Sequence, residues 1–124
     1  MATIATFIAN LKIALADYYS SWRVVDVAEG EPSKNKTIVL RPASQDVTWT
    51  GIDTCDGTYH VQAIFWSRTL ADITGVDLAG FVLAHPEVGN GYRIRIEQPA
   101  VYASGLEKQD YAHELQVTFT ADSR

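Results

Sequence analysis

Three histidines and one cysteine are the side chains of this chain best suited to metal or nucleophilic chemistry. His60, His85, His113 and Cys55 are spread along the sequence, and no two fall at a spacing that brings ligands together within one element. The expectation is exposed strand histidines and a small buried or half-buried thiol, with no metal site. A nucleophilic Cys55 needs a positive environment to form thiolate, yet Asp53 and Asp56 flank it. Asp46, Asp53 and Asp56 supply oxygen ligands without the spacing or closing glutamate of a calcium loop. They read as a solvated turn. No glycine-rich phosphate loop, GxSxG elbow, HExxH pair or CxxC motif occurs. These absences predict no catalytic residues, no cofactor and no enzyme activity.

The residues that remain are suited to contact. Trp22, Trp49, Trp66, Tyr92, Tyr102 and Tyr111 are of types enriched in interface hot spots, as is arginine. Arg93 and Arg95 lie one strand period apart, so they share a face and are able to meet Glu114 across a hairpin or carboxylates on a neighbour. Ile64, Trp66 and Arg68 end a strand that is apolar on both faces. That pattern predicts a central strand covered twice, or one whose second face meets another subunit. Val101, Tyr102 and Leu106 sit between two good strands, in a stretch from Gln98 to Asp110 that reads as a long loop. Loops of that length are usually functional or disordered.

The elements that must position these residues follow from periodicity. Ile4, Phe7, Ile8, Leu11, Leu15 and Tyr18 recur at helical spacing, with Thr3 or Thr6 as cap. Val24, Val25 and Val27 mark a strand from Trp22 to Ala28, and Glu29 to Lys36 is a polar loop. Thr37 to Arg41 is a strand that Pro42 ends or places at an edge, and a short strand lies near Trp49. In the strand Thr58 to Arg68, Tyr59, Val61, Ala63 and Phe65 share a face. Thr74-Gly75-Val76-Asp77 reads as a capping box opening a helix from Gly75 to Ala84, ended by His85-Pro86. After a turn at Gly89-Asn90-Gly91, Tyr92 to Ile96 and Tyr111 to Thr120 alternate as strands. The expected fold is α+β, a mainly antiparallel sheet with two helices packed on one face, forming a single domain over residues 1–124.

Composition limits the function classes further. At 124 residues the chain suits one domain, which buries roughly two thirds of its unfolded surface. A net charge of −5 and the absence of a basic stripe oppose nucleic-acid binding. Asn10, Lys12 and Asp17 interrupt the first apolar stretch well short of the roughly 20 residues that span a bilayer. Met1-Ala2-Thr3 lacks the basic residues of a signal peptide, and a lone cysteine suits a reducing cytoplasm.

The opening helix, the strand ending Ile64-Phe65-Trp66-Ser67-Arg68, the short helix after it, and the pairing of Tyr92 to Ile96 with Glu114 to Phe119 resemble the tail terminator, or tail completion, proteins of long-tailed bacteriophages. The resemblance implies a structural virion protein, assembled in the host cytoplasm, that forms a ring, by family habit a hexamer, at the head-proximal end of the tail tube. There it would stop tube polymerisation and offer the head connector a joining surface, with DNA passing through the lumen unbound. It implies no catalytic residues. It does not account for Gly30 to Lys36 or Ala43 to Gly57. The alternatives are another neck or connector protein, or a small-ligand binding module in which Trp49, Trp66 and Tyr59 line a pocket. An enzyme using His60 or His113 is the least supported.

Overall fold

Apolar spacing along residues 4–18 yields helix α1, Ile4–Tyr18, which buries Phe7, Leu11, Ala14 and Leu15. Thr3 caps it as expected, its hydroxyl accepting from the Thr6 amide at 3.2 Å. The computed structural model describes residues 3–26, 36–52, 55–89, 91–107 and 110–122, and of residues 55, 104–107 and 110–112 the backbone alone. The polar loop expected over Glu29 to Lys36 falls almost wholly outside the described residues.

Strand β1, Arg23–Asp26, runs parallel to β2, Thr37–Trp49, which is antiparallel to β3, Cys55–Ser67. Pro42 does not end β2. It lies beyond Leu40, the last residue paired with β1, and beside a bulge between Pro42 and Ser44, the two settings in which a strand tolerates proline. The short strand expected near Trp49 is the far half of this same 13-residue element.

Two short helices replace the single one expected. Helix α2, Leu70–Thr74, precedes α3, Leu78–Ala84. Thr74 closes α2, its hydroxyl donating to the Leu70 and Ala71 carbonyls, so it is not a cap. Asp77 caps α3 instead, accepting from the Gly80 amide at 2.9 Å. The helix ends at Ala84, before His85-Pro86, as read from sequence.

Strands β4, Glu87–Val88, and β5, Tyr92–Arg95, form a tight hairpin in which Gly89 and Gly91 take positive φ. A Cβ on Gly89 would also collide with the Asn10 side chain on α1. The stretch from Gln98 to Asp110 is not a loop. Val101–Glu107 forms β6 and pairs antiparallel with β7, Asp110–Asp122. A glycine and a serine dilute its strand pattern, and pairing with the long β7 overrides that local weakness.

The sheet order is β1-β2-β3-β7-β5-β4, with β6 also on β7. β3 occupies one edge of β7, while β5 and β6 follow each other along the other, facing Thr120–Asp122 and Asp110–Gln116 respectively. The expected pairing of Tyr92–Ile96 with Glu114–Phe119 is therefore displaced toward the end of β7. All sheet contacts except β1 with β2 are antiparallel, and the molecule is α+β. Tyr59, Val61, Ala63 and Phe65 of β3 join Leu115, Val117, Phe119 and Ala121 of β7 in one apolar core with Phe7, Leu11, Ile73 and Phe81. Phe65 meets Tyr19 and Trp22 edge-on there. Among the described residues no helix is long and apolar enough to cross a membrane.

Candidate functional site: a projecting arm and a second sheet face

The β2–β3 hairpin outruns the rest of the sheet. β7 joins β3 only from Thr58 onward, and β1 leaves β2 after Leu40. Val47–Ile52 and Cys55–Gly57 therefore form an arm held by its own two strands, in register from Val47↔Gly57 to Trp49↔Cys55. Its tip carries Val47, Trp49 and Ile52 at 52%, 71% and 95% exposure. Scattered exposed apolar residues are ordinary, but three at one tip form a patch. The bulge sets its direction. Before it, Leu40 faces the core beside Ala63; after it, Gln45, Val47 and Trp49 carry the alternation on the side of Tyr59.

Opposite the core lies a second face, on which Val25, Val39, Ile64, Gln116 and Val101 form one cross-strand row. Trp66 and Glu114 stand in the next row. Of the interface residues expected from sequence, Ile64, Trp66, Arg93, Arg95 and Val101 thus meet on one face. Tyr102, in register with Leu115, points to the other side, yet remains 59% exposed on β6. Arg68 is exposed just past β3, and the Leu106 side chain lies outside what the structure describes.

The arginines do not meet Glu114. Arg93 approaches Glu87 at 3.9 Å across the β4–β5 hairpin. Arg95 grips Asp122 with both terminal nitrogens, at 2.8 and 3.3 Å, and donates through Nε to Glu97 at 2.6 Å. These bonds, to Asp122 first and Glu97 second, push the Arg95 guanidinium above its ordinary pKa. Thr58 donates to the same Asp122 carboxylate at 2.9 Å, tying β3 to β7 and β5.

His60 closes a second network at the root of the arm. Its Nε2 is 2.9 Å from Asp46 Oδ2 and its Nδ1 is 2.9 Å from Thr120 Oγ1, linking β2, β3 and β7. A carboxylate accepts only, so with the ring neutral Nε2 donates and Nδ1 receives the threonine hydroxyl. A polar recess of about 270 Å³ opens beside it, lined by Ser44, Glu97, Gln98 and Thr118 among others. Through these two bonds His60 fastens the root of the arm to β7.

No protein-family model matches this chain, and no curated protein does so either.

The other chemical groups do not converge. Among the described residues no cluster of three or more histidine, cysteine, aspartate or glutamate side chains is placed to hold a metal ion. His85 lies 3.6 Å from Asp17 on α1, and His113 is on β7. The aromatic pocket considered from sequence is not formed. Tyr59 is core, Trp66 faces the opposite side of β3, and Trp49 is on the arm. Sequence reasoning names Trp49 as a contact-type residue but does not group it with Val47 and Ile52. The available signal was two apolar residues one strand period apart, followed by a glycine turn and another apolar residue.

Proposed function

We propose that this chain is a structural ring subunit of a bacteriophage tail, a single tail-terminator-like domain over residues 1–124. Copies closed into a ring, six by the habit of the proteins it resembles, would sit at the head-proximal end of the tail tube. They would end tube polymerisation there and give the head connector a joining surface. The observation that carries this reading is the arm with Val47, Trp49 and Ile52 uncovered at its tip. A small subunit that exposes apolar groups on a projection, away from its sheet face, has the two unlike surfaces that a head-to-tail contact needs, and such contacts form a ring when the rotation between copies closes. In this reading the helices pack together on one face of the sheet, leaving the face of Ile64, Trp66 and Arg95 toward a partner. The net charge of −5 suits a lumen through which DNA passes unbound. The protein would belong to the tail or neck of the virion, with assembly in the host cytoplasm and no membrane role.

The test is to incubate purified protein with tail tubes whose ends are open and view them by electron microscopy. A ring at one end, with further tube subunits no longer added, is the expected result. Bare tube ends at saturating protein would overturn the reading. A ring found only on isolated connectors would move the protein to another neck position.

A further inference from the structure

We infer that copies of this chain join edge to edge, the outer edge of β6 in one copy pairing antiparallel with the free half of β2, residues 44–49, in the next. This contact builds the ring proposed above and rests on that reading. A strand edge presents a row of main-chain donors and acceptors, so what it binds is another extended strand. Among the described residues, β2 has no strand partner on its outer side beyond Leu40, and β6 pairs with β7 alone. The strands at the two ends of the sheet order are guarded. β1 is four residues long and bounded by Arg23 and Asp26, and β4 has two residues. Short length and charge are the usual protection against edge pairing. Residues 44–49 and Val101–Glu107 hold no proline and no lysine, and the bulge in β2 lies before Ser44.

Strand direction and side chains select a second copy as the occupant. β2, β3, β7 and β6 are neighbours in that order and every contact among them is antiparallel. β6 therefore runs opposite to β2, and the two free edges face out from opposite flanks. A rotation that preserves strand direction brings β6 of one copy antiparallel to β2 of the next, and it joins unlike edges, as a head-to-tail contact requires. Tyr102 is level with Phe65 of β3 and Val47 with Gly57, eight residues along the same strand, so the strands cross the ring obliquely, as closed sheets require. The faces also match. Gln45, Val47 and Trp49 lie on the Tyr59 side of the sheet, and Tyr102, in register with Leu115, lies on that same side. Setting Tyr102 opposite Val47 of the next copy places Trp49 on its diagonal, within reach of an aromatic side chain. Three exposed apolar side chains then cover one another. The same register sets Val101 opposite Thr48 on the second face.

The experiment is disulfide trapping in a Cys55→Ser background, with association and amide hydrogen exchange measured beside it. Copies with Thr48→Cys are mixed with copies carrying Val101→Cys and oxidised, each variant alone serving as control. The mixture should give at least fivefold more linked dimer than either variant alone. Tyr102→Lys adds the charge that guards natural edges, and it should raise the concentration for half-association at least tenfold with an unchanged melting curve. In assembled wild-type protein, amides of residues 44–49 and 101–107 that exchange freely at high dilution should slow at least tenfold, which side-chain contact alone does not produce. Equal linkage in the mixture and the controls, or unchanged exchange in both segments on assembly, overturns the strand pairing. If the wild type rings tube ends in that case, only the pairing falls and the ring reading stands. Trapping and protection with bare tube ends keep the pairing and remove the tail reading.

Discussion

Phe65 shows what one side chain contributes here. It is fully buried near the end of β3, with Tyr19 and Trp22 edge-on to it at 5.2 and 5.5 Å. Phe65→Ala should cost about 3–5 kcal/mol, read from urea unfolding, because the surrounding strands cannot collapse into the space. Tyr19 offers a pH-dependent test. Its hydroxyl donates to the Asp77 carbonyl at 2.8 Å, and burial, then the neighbouring Tyr18 and Asp77, push its phenol well above the ordinary tyrosine range. A phenol held protonated in the fold contributes stability that is complete below the unfolded value of about 10 and is lost as pH rises above it. Tyr19→Phe should therefore lower stability by about 1 kcal/mol at pH 7 and flatten the decline above pH 10, as measured by thermal melts across that range. Gly89 is constrained twice, by a φ of 60° and by Asn10 against its missing Cβ. The sequence marks it as a turn residue, but its contact with α1 exists only in the folded chain.

Among the elements, the 13-residue strand β2 determines where the arm points, and it does so through one extra residue. Deleting Ala43 should leave Ser44↔His60 and Val47↔Gly57 in register but remove the bulge and the bend and twist it adds, so that the arm leaves the sheet at a different angle. The expected outcome is a loss of roughly 2 kcal/mol in urea unfolding together with loss of association. A deletion variant that kept both would show that the bulge does not aim the arm. This element also explains why the arm was hidden in the sequence. Strong periodicity made α1, β3 and β7 legible, because Leu11, Phe65 and Val117 each sit in an unbroken pattern. In β2 the alternation changes phase at the bulge, so Leu40 and Trp49 do not read as one strand. β6 reads as a loop in the sequence because Ser104 and Gly105 lower its strand propensity while its partner lies across the β6–β7 hairpin. The shared face of Ile64, Arg95 and Val101 depends on register among β3, β5, β6 and β7, which spacing within one segment cannot supply. The sequence reads Thr74 as the cap and Asp77 as its capping-box partner, whereas in the folded chain Thr74 closes α2 and Asp77 caps α3.

At the scale of the whole molecule, the proposed ring would have each copy give its arm to one neighbour and receive an arm from the other. A copy with Trp49→Ala still receives an arm but gives none, so it joins a growing chain and leaves it open. Mixing it into wild-type protein should reduce closed rings more steeply than its share of the mixture, because one defective copy opens a whole ring. Native mass spectrometry of mixtures at fixed total concentration measures this directly. Proportional loss would mean that copies associate through independent pairwise contacts. The contact is mainly apolar, so ring yield should change little as salt rises from low to physiological strength, whereas assembly driven by exposed charge pairs would weaken. The two measurements separate the possibilities: steep loss without salt sensitivity fits contacts made through the apolar arm, and proportional loss with salt sensitivity would assign assembly to the charged second face around Arg93 and Arg95.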